Sequence, residues 1–97
     1  MSVPRIGKVV ASCNTSEGRY QVAELSEGKY VLAIGGDQLQ RRDWLPIEPA
    51  KGVRFYHYED RESAQEAWED CEQDFENSGD LESAKNLREA WMAWTGD

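Results

Sequence analysis

The hydrophobic pattern of this 97-residue chain changes its period near residue 59, and this change limits the folds that the chain can adopt. Before residue 59, short runs rich in β-branched and aromatic residues are separated by turn residues, which is typical of β-strands. After it, apolar residues recur at helical spacing. We therefore predict a single α+β domain over residues 1–97, with a β-rich half at 1–58 and a helical half at 59–97.

Four strands are predicted in the first half, over residues 6–13, 19–25, 29–34 and 53–58. Between the second and third, Ser26, Glu27 and Gly28 make a short turn with a glycine, which predicts a β-hairpin. Trp44, Leu45 and Ile47 are candidates for a fifth strand, which the neighbouring prolines would confine to an edge. We expect an antiparallel sheet of four to five strands, and the pattern also fits a small SH3-like barrel.

The last of these strands alternates between two sets of side chains. Val53, Phe55 and His57 fall on one face, which is predicted to be the buried one. His57 is the single histidine of the chain, and its position predicts a core histidine rather than a catalytic one.

Two helices are predicted in the second half, joined by a short connection at residues 77–80. Asp60 is placed to cap the first helix, Gly79 to end it and Asp80 to cap the second. The predicted apolar stripes are Ala64, Ala67, Trp68, Cys71 and Phe75 in the first helix, and Leu81, Ala84, Leu87, Trp91 and Trp94 in the second. We expect an antiparallel helical hairpin on one face of the sheet.

Negative charge is concentrated in and around the first of these helices. Residues 59–82 hold eleven acidic side chains and one basic one, Arg61, in a chain of net charge −8. The first 58 residues hold eight basic and six acidic side chains, and the last fifteen are balanced. The acidity of the protein is therefore local, which predicts attraction to a basic partner.

Acidic side chains cover the helix wherever it is not apolar. At about 100° per residue, Glu62, Glu66 and Glu69 fall opposite the apolar stripe, and the other acidic residues fill its flanks. Several like-charged pairs stand four residues apart, and each costs a few tenths of a kcal/mol. A solvated face explains charge, but not charge of one sign. The predicted partner contacts on this helix are Glu62, Glu66, Glu69, Asp70, Glu72 and Glu76.

A basic protein surface is the expected partner. In one version it belongs to a nucleic-acid-binding protein, and the helix acts as a nucleic-acid or DNA mimic, as small phage-type inhibitors of host defence do. In the other, the helix docks on a basic patch of an enzyme or regulator. Direct binding to nucleic acid is not expected, because Arg41, Arg42 and Arg54 are too few to overcome the repulsion.

The four tryptophans divide into two predicted groups. Trp68 and Trp91 are predicted to hold the helices to the sheet. Trp44 lies among prolines and Trp94 near the end of the chain, and both are predicted to be exposed partner-binding anchors.

Two other functions stay open. One is a small β-barrel that binds a peptide or a nucleic acid through Tyr20, Tyr30 and Trp44. The other is a structural subunit of an assembly that docks through its tryptophan-rich C-terminal helix.

The sequence favours a binding protein over an enzyme. Cys13 and Cys71 have no metal-binding spacing and are expected to be reduced thiols, and a Cys71–His57 nucleophile pair is disfavoured because Cys71 lies mid-helix. Without metal-binding or phosphate-binding motifs, we expect no cofactor and no metal. The longest apolar run has four residues and the N-terminus lacks an export signal, so we expect a cytoplasmic protein.

Overall fold

Four strands form one antiparallel sheet in the computed structural model, which describes residues 4–36, Leu39 and residues 43–95. The strands lie in the order of the chain: β1 (Ile6–Thr15), β2 (Gly18–Leu25), β3 (Tyr30–Ile34) and β4 (Arg54–Tyr58). β1 and β4 are the two edges, so the sheet is open and the SH3-like barrel does not form.

Two helices follow the sheet, α1 (Arg61–Ser78) and α2 (Leu81–Thr95). The predicted α+β arrangement, a sheet followed by a helical hairpin, is therefore confirmed. Within the described residues, no helix is both long enough and apolar enough to cross a bilayer.

The hairpin between β2 and β3 forms at the predicted turn. Glu27 and Gly28 adopt φ angles of 66° and 75° in a 3₁₀ turn over Ser26–Gly28. Across this turn, the Leu25 N–H donates to the Lys29 carbonyl at 2.7 Å. Positive φ has no steric cost for a glycine, which explains why Gly28 ends the turn.

Gly35 ends β3 where two other parts of the chain come close to it. Its φ is 109°, and a Cβ at this position would collide with the carbonyl oxygen of Gly52. A Cβ on Gly18, in the β1–β2 turn, would lie 3.2 Å from the Gly35 Cα. The chain can pass close to Gly35 at Gly52, just before β4, because position 35 has no side chain.

The sheet is buried on both faces. On one face Tyr20, Val22 and Leu32 pack with Trp68 and Leu87 of the helices. The other face carries a second core, made of Ile6, Ala23, Leu25, Val31, Ala33, Leu39 and Leu45. Its last two members, Leu39 and Leu45, lie between β3 and β4 in the chain and cover part of the second face. Burial on both faces explains the uninterrupted apolar run at residues 31–34.

The candidate fifth strand is reduced to one bridge within the described residues. Arg5 and Trp44 form an isolated antiparallel bridge, flanked by two backbone hydrogen bonds of 2.8 and 2.9 Å. Pro46 lacks the N–H that would continue this ladder.

The prediction that His57 belongs to the core is wrong. Val53 is buried and Phe55 is half-buried, but His57 is exposed. The second core includes Phe55 and ends before His57. On the helix side of β4, Tyr58 is half-buried and Tyr56 is 40% exposed. β4 is therefore a poorly covered edge of the sheet.

Both helices begin where the aspartates predict. The Asp60 Oδ1 accepts a hydrogen bond from the Ser63 N–H at 2.8 Å, and the Asp80 Oδ1 accepts one from the Ser83 N–H at 3.1 Å. Gly79 has a φ of 87° and ends α1 in the left-handed conformation. Each end of the helical connection is thus capped as expected.

Trp68 lies at the centre of the helix packing. It is fully buried, its Nε1–H donates to the Leu87 carbonyl at 2.8 Å, and its ring meets the Tyr20 ring edge-on at a centroid distance of 6.3 Å. These contacts join α1, α2 and β2. Leu81, the first residue of α2, is 67% exposed, so the buried stripe of α2 begins at Ala84 instead.

Asp80 ties the helical hairpin to the sheet. Its second carboxylate oxygen accepts hydrogen bonds from the hydroxyls of Ser16, in the β1–β2 turn, and Ser83. The Ser83 hydroxyl in turn accepts one from the Ser16 N–H at 3.0 Å. The bonds to the ionised carboxylate, that of the Ser16 hydroxyl foremost, hold the pKa of Asp80 below its ordinary value of 3.8.

Leu87 and Leu81 provide a matched test of the helix packing. Leu87→Ala removes a fully buried side chain and should lower the free energy of unfolding by about 2–5 kcal/mol. Leu81→Ala makes the same change at an exposed site of the same helix and should alter it by less than about 0.5 kcal/mol. Urea denaturation followed by tryptophan fluorescence measures both, and equal losses would contradict the placement of α2.

Asp80 should stabilise the fold at neutral pH and lose this contribution in acid. Because its folded-state pKa is lowered, the contribution is complete above the unfolded pKa of about 3.8 and is lost as the pH falls through the folded pKa. Asp80→Asn should therefore lower the urea midpoint at pH 7, with a smaller effect as the pH falls from about 5 toward about 2. A loss independent of pH would show that the Asp80 charge is not involved.

Candidate functional site

Five carboxylates of α1 lie on the part of its surface that is neither buried nor turned toward α2, three of them opposite the buried stripe and two on its flank beside β4. They are Glu62, Glu66, Glu69, Asp70 and Asp74, all exposed. Within the described part of the chain, none of them makes an ion pair or a hydrogen bond. Ala64, Trp68 and Phe75 are buried on the other side of the helix and turn these side chains outward. We call these five residues the acidic face; four are predicted contacts and Asp74 is added by the structure.

Glu72 and Glu76, the other two predicted contacts on α1, face α2. The Arg88 Nε donates to the Glu72 Oε1 at 2.8 Å, and the Arg88 Nη2 donates to the Glu76 Oε1 at 2.6 Å. The two glutamate side chains are 17% and 34% exposed. These bonds, that to Glu72 foremost, raise the pKa of Arg88. The two glutamates are thus less available to a partner than the sequence predicts.

Arg88 was not recognised in the sequence as a partner of this pair. It lies sixteen positions from Glu72 and twelve from Glu76, beyond the reach of a single-helix pattern. The antiparallel pairing of the helices brings it between them. The like-charged pair that is unfavourable in an isolated helix is therefore bridged by one cation in the folded protein.

The acidic face extends along most of α1. Its first and last members, Glu62 and Asp74, are twelve residues apart, which corresponds to about 18 Å of helix axis. One strand of B-DNA carries a phosphate every ~3.4 Å, which gives about five charges over the same distance. The acidic face therefore matches one strand in linear charge density and has about half the density of a duplex.

Arg61, the basic residue of the acidic segment, does not neutralise this face. Its Nη2 donates to the Trp94 carbonyl at 3.2 Å, and its guanidinium lies 5.7 Å from the centroid of the Trp94 ring. It is therefore engaged at the end of α2. Arg41 and Arg42, two of the basic residues considered in the sequence, lie outside the described residues.

A groove of about 390 Å³ lies between α1 and β4. Tyr20, Leu32 and Ile34 of the sheet contribute to its lining, and Glu17 also borders it. Its walls are formed by Arg54, Tyr56 and Tyr58 of β4 and by Asp70, Cys71 and Asp74 of α1. Asp70 and Asp74 thus belong both to the acidic face and to the groove.

The Cys71 thiol and the Tyr20 and Tyr58 phenols are neutral at neutral pH. Burial, with smaller contributions from Asp74 and Asp70, raises the pKa of Cys71 to about 11. Burial also raises the pKa of Tyr20 and of Tyr58. His57 alternates to the other side of β4, away from Cys71. A protonated, half-buried thiol is a poor nucleophile.

Metal-ligating side chains are scattered in the described residues. No three side chains of His, Cys, Asp or Glu are grouped there in an arrangement that could hold a metal ion. Cys13 and Cys71 are both free thiols, and burial raises the pKa of Cys13 to about 11 as well.

Trp94 is buried, and the prediction that it is an exposed anchor is wrong. Its side chain is 3% exposed, and its ring centroid lies 6.3 Å from that of Tyr30 and 5.6 Å from that of Trp91. The antiparallel return of α2 brings its last turn back over the sheet. A residue near the end of the chain is thereby placed in the core, while Trp91 is half-buried.

Trp44 is 54% exposed, as predicted, and the Arg5 guanidinium lies 5.6 Å from its ring centroid. Tyr20 and Tyr30, the other two residues of the β-barrel alternative, are 4% and 7% exposed and belong to the helix-side core. Trp44 is therefore the one member of this trio that lies at the surface.

Comparison with protein family models, with curated proteins and with solved structures gives no match to this chain. A function for the acidic face must therefore be inferred from its own geometry and charge.

Arg88 should stabilise the fold through its two glutamates. Arg88→Gln leaves Glu72 and Glu76 repelling each other and should lower the thermal midpoint, with a smaller effect at about 1 M salt because the charges are screened. Lys85→Gln removes a cation of the same helix whose ion-pair partner, Glu89, is exposed, and should have a smaller effect. Circular dichroism measures both midpoints, and equal losses would contradict a bridging role for Arg88.

Proposed function

We propose that this protein is a non-catalytic binding module whose acidic face engages a basic surface of a partner protein. One observation carries the proposal: the acidic face presents five exposed carboxylates without an ion-pair partner in the described residues. Their mutual repulsion destabilises an isolated helix. Among the described residues, a cation lies within ion-pair distance of Glu72 and Glu76 but of no member of the acidic face, which is the arrangement expected if a partner supplies the positive charge.

The way α1 is held supports this role. Asp60 caps its first turn, Gly79 ends it and Trp68 anchors its middle in the core. Carboxylates on such a helix keep their relative positions before a partner arrives. Binding then requires little ordering of the acidic face, which favours affinity.

A nucleic-acid-binding protein is the kind of partner that the charge spacing fits best. The acidic face has the linear charge density of one nucleic-acid strand, so a groove that normally binds a single strand would accept it. In this form the protein is an inhibitor or regulator that competes with nucleic acid. The barrel and assembly alternatives lack a comparable observation, because Tyr20, Tyr30 and Trp94 belong to the core.

Two variants with equal net charge test the proposal. The face variant neutralises four members of the acidic face through Glu62→Gln, Glu66→Gln, Glu69→Gln and Asp70→Asn. The control variant neutralises four exposed acidic residues outside α1 through Glu27→Gln, Asp43→Asn, Glu48→Gln and Glu82→Gln. Both lose four negative charges, so they differ only in where the charge is removed.

Capture from a lysate of the native host, with bound proteins identified by mass spectrometry, measures the effect. Wild type and the control variant should retain a basic nucleic-acid-binding protein, and the face variant should lose it. Retention should also disappear by about 0.5 M salt, where exposed charges are screened. In a second step, the purified target should release a labelled single-stranded oligonucleotide when wild type is added. Equal capture by the face and control variants would contradict the proposal.

A further inference from the structure

β4 is an edge strand whose outer side is unpaired within the described residues. All five of its residues are in regular antiparallel register with β3, from Arg54 opposite Ile34 to Tyr58 opposite Tyr30. Alternate backbone N–H and C=O groups of β4 therefore point away from the sheet. Such groups are a template for the addition of another strand.

The other edge of the sheet is protected against strand addition. β1 has register irregularities between Ile6 and Val9 and between Val9 and Ala11. Its start is also bridged by the Arg5–Trp44 pair. Bulges and covered ends are common ways of blocking an edge strand. β4 contains no bulge, no proline and no lysine, so it is the more accessible edge.

The groove lies directly beside this accessible edge. Side chains of a strand added to β4 would alternate, with every second one directed toward the groove. Three acidic groove residues, Glu17, Asp70 and Asp74, stand against one basic residue, Arg54, so the groove carries a net charge of −2. A strand with basic side chains at alternate positions complements this charge.

We propose that the groove between α1 and β4 binds an extended segment of the partner, about five residues long with Lys or Arg at alternate positions, which adds to the sheet beside β4. The inference rests on the proposed function and specifies the form of the basic partner. The partner's folded surface meets the outer acidic face, and its extended segment meets Asp70 and Asp74. The two contacts are continuous because these two aspartates belong to both.

The side chains of the groove suit such a segment. Asp70 and Asp74 are exposed and unpaired in the described residues, so an incoming ammonium or guanidinium group displaces no existing ion pair. Tyr56 and Tyr58 offer aromatic surface to the aliphatic stems and to the cations. Arg54, the cation of the groove, stands at the first residue of β4, so an incoming cation is repelled least toward the Tyr58 end.

The probe is a fluorescein-labelled, end-blocked peptide of seven residues that alternates lysine and valine. A second peptide has the same composition with its four lysines consecutive. A third keeps the alternation but carries N-methyl groups on alternate backbone nitrogens, which removes the hydrogen bonds of an added strand. Fluorescence anisotropy at 0.15 M salt measures affinity, and amide chemical shifts of residues 54–58 locate the peptide on the wild-type protein.

The alternating peptide should bind and shift the β4 amides, and the other two peptides should bind at least about fivefold more weakly. The double variant Asp70→Asn/Asp74→Asn should weaken binding of the alternating peptide about tenfold, because two ion pairs are lost. Glu62→Gln/Glu66→Gln removes the same charge outside the groove and should weaken it less than about twofold. No binding, equal binding of the three peptides, or equal weakening by the two double variants would overturn the proposal.

These results are distinguishable from a failure of the proposed function, which is decided by capture with the face and control variants. If the two double variants weaken peptide binding equally, while capture of the partner still depends on the acidic face, the acidic face remains a binding site and the groove is not part of it. A second copy of the chain is the remaining candidate for the β4 edge. Sedimentation of the unliganded protein tests this, and a dimer with protected β4 amides would overturn the proposal.

Discussion

The buried Trp68 is the contact on which the rest of the structure depends. Its indole donates a hydrogen bond to the backbone of α2 and its ring packs on Tyr20 of the sheet, so a single side chain joins three elements. Because it is fully buried, it also fixes the rotation of α1 about its axis. That rotation decides which carboxylates of α1 point to solvent, to α2 or to the groove.

Three environments on one acidic helix follow from this rotation. The side toward α2 is bridged by Arg88, which holds Glu72 and Glu76 in the pairing of the helices. The outer side carries charge that has no ion-pair partner in the part of the chain that the structure describes, and the side toward β4 places Asp70 and Asp74 beside an edge strand. A uniform run of acidic residues thus becomes a structural ion pair, an exposed charged surface and one wall of a groove, which differ in what they can bind.

Local features were predictable where local chemistry decides them. The caps at Asp60 and Asp80, the end of α1 at Gly79 and the β2–β3 turn all depend on residues within a few positions of each other. The exposed placement of Glu62, Glu66, Glu69 and Asp70 followed from the helical period and the buried stripe alone. The errors at His57 and Trp94 arose where burial depends on what packs above a residue, which its own strand or helix does not specify.

By itself, the sequence determined the fold class, the order of the elements and the concentration of negative charge on the first helix, because periodicity, turn residues and charge are read along the chain. Only the tertiary structure decided that Arg88 compensates two of these charges, that Leu39 and Leu45 cover the second face, and that the edge of β4 beside Asp70 and Asp74 is unpaired among the described residues. Each of these depends on contacts between residues distant in sequence, and such contacts exist only once the helices have packed on the sheet.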